Sequence, residues 1–268
     1  MDHIVQGNRF AQVLHNFEQK IRETDFDKAI FLQVILDTLP HIKLKDGYTL
    51  GCYSVGDGID SIMYFYPLRK DAVEEYGPDA SKIDKRGKRF WQKLFGLRKD
   101  DDLYNEDWDS DKPFQDGQII RGTLPFGCRV PELKKYLDID FTPDTIWESL
   151  LLLEESENYL KHGWHGCYRN GKIVVDNQSV IDVFTNLNTG ISSTKIEEAD
   201  WKPFLDNERI LPIVNLKSDT EAIVHYCHWS DWSGLDRFTV RAYKDGRSIR
   251  FERDNPVNLV EYDCGYVF

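Results

Sequence analysis

The stretch that decides the fold is residues 210–268, ILPIVNLKSDTEAIVHYCHWSDWSGLDRFTVRAYKDGRSIRFERDNPVNLVEYDCGYVF. Within it, FTVRAY (238–243) and SIRFER (248–253) alternate apolar and polar residues with period two. In an extended chain, successive side chains point to opposite faces, so this alternation describes strands with one dry and one wet face. Lys244-Asp245-Gly246-Arg247 and Asp254-Asn255-Pro256 are turn sequences that separate the runs. Strands are expected at 210–216, 221–229, 236–244, 247–253 and 258–267, closing the chain as an antiparallel β-meander.

Upstream, the period changes. Residues 142–162 open with Thr142 at N-cap, Pro143 at N1 and Asp144 in the first turn, and Gly163 follows as a C-terminal stop. A helix is expected between them. WHGCYRNGKIVV then reads as a hairpin turning at Asn170-Gly171. Short helices are expected at 179–187 and 195–202, the second with Thr194 and Glu197 at capping-box spacing.

The N-terminal part begins with Phe10, Val13, Leu14, Phe17 and Ile21, one helical stripe over 8–24. A second helix is expected from about Asp25 to Leu39, apolar nearly all round and stopped by Pro40. Residues 48–55 and 59–66 read as strands joined through Gly56-Asp57-Gly58, whose glycines supply the positive φ angles of a tight reversal. These elements define an α+β protein, with helices in the N-terminal half and middle and an antiparallel sheet at the C-terminus.

Residues 77–118 break the pattern. Eight basic residues crowd the first half of the block and eight acids the second, with few aliphatics, so it reads as a charged excursion from the core. Trp91 and Phe95 are its candidate anchors, in a short amphipathic run. The organisation expected is 1–76 as a helical pair plus hairpin, 77–118 as the excursion, and 119–268 packed with 1–76 as one globular unit.

The chain of 268 residues carries a formal net charge of −12. Such a field repels phosphate backbones and disfavours non-specific nucleic-acid binding, while it suits a basic protein partner. An acidic surface also keeps a bacterial-type cytosolic protein in solution. No basic leader precedes an apolar run, and no segment has the length and hydropathy of a membrane span. Five dispersed cysteines without CxxC spacing fit reduced thiols, and a cytoplasmic location is expected.

Few residues here point to chemistry. His162, His165 and Cys167, with His225, Cys227 and His228, offer zinc's usual ligand types, but strand alternation sends His228 away from His225 and Cys227. On the middle helix, Glu154 and Glu157 fall on or beside the apolar stripe, where paired carboxylates could do acid–base work. GxSxG, P-loop and dinucleotide-binding fingerprints are absent. No metal and no cofactor is therefore assigned.

The remaining feature is HWSDWSG at 228–234, between two strands. Trp229, Asp231 and Trp232 there form a candidate partner-binding site, since indoles in a connection either anchor a partner or fold back over the sheet. The function expected is a soluble, non-enzymatic binding protein, in its most concrete form an immunity or antitoxin-type protein masking a basic partner. The alternative is a metal-dependent or hydrolytic enzyme built on His162, His165, His225 and Glu157.

Overall fold

A computed structural model describes residues 3–6, 8–24, 32–56, 60–71, 123–124, 132–156, 161–163, 171–185, 187, 196–205 and 210–264. The architecture is α+β, with a seven-stranded and a four-stranded sheet. The large sheet is built around two long strands, β8 (Glu221–Ser230) and β9 (Gly234–Asp245), which pair antiparallel from Glu221↔Tyr243 to Ser230↔Gly234.

Each long strand carries two shorter ones end to end along its outer edge. Beside β8 lie β7 (Ile213–Leu216), against its first half, and β6 (Lys172–Val174), against its second. Beside β9 lie β10 (Ser248–Arg253) and β11 (Val257–Glu261). The expected meander therefore holds from β7 through β10, whereas β11 returns to β9. A strand not expected from the sequence, β1 (His3–Gln6), completes the edge by pairing with β7.

In the smaller sheet, β2 (Tyr48–Gly56) and β3 (Asp60–Arg69) form the expected hairpin, in register from Tyr48↔Arg69 to Gly56↔Ser61. The short β4 (Thr123–Leu124) joins β2 in parallel, and β5 (Lys161–Gly163) joins β3.

Helix α1 (Asn8–Glu23) buries the stripe read from its sequence: Phe10, Leu14, Phe17 and Ile21 are all interior. The expected second helix is corrected. Among the described residues of that stretch only α2 (Gln33–Leu36) is helical, Leu32 N–H bonds to the Leu50 carbonyl of β2, and Val34 is exposed. Residues 25–31 lie outside the described set.

The middle helix also departs from expectation. α3 (Pro143–Leu150) starts as read, with the Thr142 side chain accepting from the Thr145 N–H and Pro143 at the first position. It then passes into a π-helical turn (Leu151–Glu155), and Lys161–Gly163 is strand rather than helix. Helix α4 (Asn177–Thr185) and α5 (Glu198–Trp201) follow, the latter opened at Glu197, whose backbone N–H donates to the Asp200 side chain at 2.9 Å.

The sheet has apolar residues on both faces. On one, Val214, Ala222, Val224, Tyr226, Val240, Ala242 and Ile249 join Phe10, Leu14, Trp147 and Leu50 in the main cluster. On the other, Val174, Cys227, Trp229 and Leu235 pack with Val180, Val183 and Phe184 of α4. The charged block at 77–118 lies outside the described residues.

Candidate functional site

The tryptophan loop is shaped by the length of its strands. β8 runs through to Ser230 and β9 begins at Gly234, so only three residues make the reversal. Strand alternation places Trp229 beside Cys227 and Leu235 on the face that α4 covers, and the indole is buried. Its N–H donates to Asp231 Oδ1 at 2.8 Å, and Asp231 is itself 3% exposed. Cys264 N–H donates to the Asp231 carbonyl at 2.8 Å. Trp229 and Asp231 are thus not exposed contact residues, a correction with a plain cause. A buried indole N–H needs an acceptor, and the turn aspartate supplies it.

Trp232 stands differently. It is half-buried at the margin of the same cluster, together with Trp201, Phe204 and Leu259. Through this cluster runs a column of rings. Trp201 stacks on Phe184 at 5.6 Å with planes 5° apart, Phe184 meets Trp229 edge-on at 5.0 Å, and Trp229 leans on Tyr262 at 5.2 Å. Packing of this kind fixes the outer indole of Trp201 against a rigid base. Around it, Glu197, Glu198 and Asp200 are exposed, with Lys202 bonded to Glu198 at 3.2 Å. Half-covered aromatic surface therefore meets a fringe of carboxylates. Trp91 and Phe95, the other expected contact residues, lie outside the described set.

Polar groups on the opposite face serve the core. Glu155, at the end of the π turn, is 1% exposed and accepts from Tyr226 Oη at 2.5 Å and from Arg253 at 2.5 Å. Burial pushes the Tyr226 phenol far above the ordinary tyrosine range, and the Glu155 charge adds to this. Burial works against the Arg253 charge, but Glu155 outweighs it and strengthens the guanidinium's hold on its proton. Both donors of this triad are thereby held in their protonated forms. Seven residues earlier, Glu148 takes the His41 backbone N–H at 2.8 Å and lies 2.6 Å from Nδ1 of the same residue. Burial raises its pKa, with the His41 bonds opposing.

The sequence placed acids of interest at Glu154 and Glu157. Glu154 is exposed, the interior acid is Glu155, and Glu157 lies outside the described residues. No periodic signal could have named Glu155, because the π turn shifts the helix face after Leu150.

The histidines do not assemble. His162 sits in β5 of the four-stranded sheet, His225 and Cys227 share one face of β8, and His228 lies on the other, as alternation requires. His165 and Cys167 lie outside the described residues. Among the described residues, no three His, Cys, Asp or Glu side chains are placed to hold one metal ion. No described helix is long and apolar enough to cross a membrane. No family model matches the chain, and no curated protein and no solved structure matches it.

Proposed function

We propose that the chain is a binding protein that holds a basic protein partner at the aromatic margin formed by Trp201, Phe204 and Trp232. The observation that carries this reading is that the half-buried rings of Trp201, Phe204 and Trp232 pack against one apolar cluster, with the exposed acids Glu197, Glu198 and Asp200 next to Trp201 in the chain. Rings that are rigid before binding lose little conformational freedom on contact, and carboxylates around them select a cationic surface and speed its approach. A formal charge of −12 on the whole chain acts in the same direction. Masking of a basic protein, as an immunity or antitoxin-type protein does, is the concrete form of this function.

The test is capture of partners by the immobilised full chain at low and high salt, repeated with Glu198→Lys and Trp232→Ala. The expected result is a basic partner, released by salt, whose affinity falls about tenfold or more in each variant. Glu198 is exposed, so its replacement should leave the melting curve in place. Capture that ignores salt and survives Glu198→Lys would remove the reading. A large fall in melting temperature for Trp232→Ala would mean that this indole serves the fold.

A further inference from the structure

The face of β8 and β9 that carries Cys227 continues beyond the cover of α4 into a row of polar residues. Register places His225 directly opposite Thr239 and Cys227 opposite Arg237. Arg237 and His225 are therefore diagonal neighbours on one face, within reach of long side chains. His225 Nδ1 lies 3.0 Å from Thr239 Oγ1, which turns the ring's Nε2 away from the hydroxyl.

Arg237 is the unusual member. It is half-buried, and among the described residues no carboxylate or carbonyl accepts from its guanidinium. The other arginines of this face are committed: Arg241 to Asp254 at 3.4 Å, and Arg250 to Glu252. Burial, then the charges of Arg237 and Lys217, make protonation of His225 harder than for an ordinary histidine. A half-buried guanidinium, an imidazole and a hydroxyl thus share one face of the sheet, and a guanidinium that is partly desolvated without an accepting carboxylate is costly unless a ligand supplies an anion.

We propose that Arg237, His225 and Thr239 form a binding site for a phosphate group, free or carried on a small molecule. The guanidinium offers parallel N–H donors, and imidazole Nε2 offers one from another direction. When His225 is protonated, Nδ1–H donates to Thr239 Oγ1, and its hydroxyl hydrogen is released toward the ligand. Donors from three groups suit the several oxygens of a tetrahedral oxyanion better than the two of a planar carboxylate. The acidic chain still repels a polyanion, but the Arg237 guanidinium acts at shorter range than that field.

The experiment is a titration of the full chain with inorganic phosphate, following the histidine ring signals by NMR, with acetate and phenyl phosphate in parallel. Saturable movement of the His225 ring is expected at about millimolar phosphate, with acetate at least about tenfold weaker. Arg237→Gln should weaken binding about tenfold or more, and Arg237→Lys by less, since lysine keeps the charge but loses the paired donors. Tighter binding of phenyl phosphate would assign the site to a phosphorylated molecule, and equal or weaker binding to free phosphate. The proposal fails if the His225 signals do not saturate by roughly 50 mM phosphate, if acetate binds as well, or if Arg237→Gln binds unchanged. Should that variant not fold, the wild-type titration decides alone.

Discussion

Glu155 shows how much one buried side chain can organise. It draws Tyr226 of β8 and Arg253 of β10 onto the end of the π turn, and Arg253 in turn lies over the Phe238 ring at 4.9 Å. Tyr226→Phe would keep the ring stack with Phe238 but leave the buried carboxylate one donor short. A charged acceptor that loses a partner inside a protein costs about 1–3 kcal/mol, so denaturant unfolding should show a loss of that size. An unchanged midpoint would mean that Arg253 alone satisfies Glu155. Residue roles of this kind were only partly legible. Alternation correctly separated His228 from His225 and Cys227. It could not tell that Trp229 faces the core while Trp232 stands at its margin, because that depends on where β8 ends. The choice of Glu154 and Glu157 over Glu155 has a similar origin, since a helical wheel assumes 3.6 residues per turn throughout.

Among the elements, those with long periodic signals were legible and short ones were not. α1, the β2–β3 hairpin and β8 to β10 follow from their patterns, whereas four-residue β1 and three-residue β5 hold their places by pairing alone. Two devices join elements to one another, and each can be tested. Gly234 opens β9 at φ 87°, and a Cβ built on it would stand 1.9 Å from the Val260 carbonyl oxygen of β11. Gly234→Ala should therefore strip β11 from β9 and lower stability by about 2 kcal/mol or more. Hydrogen exchange at residues 257–261 would report the loss, and retained protection there would contradict it. The second device ties α1 to α4. Asp176 accepts from Ser179 N–H, capping α4, and meets His15 Nε2 of α1 at 2.7 Å. Burial opposes the Asp176 charge, yet the bonds from His15 and Ser179 outweigh it and hold the carboxyl below the usual aspartate range. A carboxyl depressed in the folded state contributes stability above its unfolded pKa and loses it as pH falls through the folded one. Asparagine caps nearly as well but does not ionise. Wild type should exceed Asp176→Asn in stability near neutral pH, and the gap should close as pH drops below the ordinary aspartate value of 3.8. Parallel curves of stability against pH would count against the tie.

At the scale of the molecule, the α+β class was legible because the helical and two-residue periods occupy different stretches of the chain. The arrangement of the sheets was not, because pairing between distant segments leaves no local signature. The main cluster draws on Phe10, Leu50, Trp147, Val224 and Ile249, contributions spread over most of the chain. β1 takes this furthest, with Val5 set beside Val214 at the edge of the large sheet. A ribosome makes residues 3–6 long before residues 213–216, the strand they pair with. During synthesis, residues 3–6 must wait unpaired until 213–216 have been added, so this edge of the large sheet closes late relative to its first strand. An edge that stays open so long is one that nascent-chain chaperones would be the first to meet.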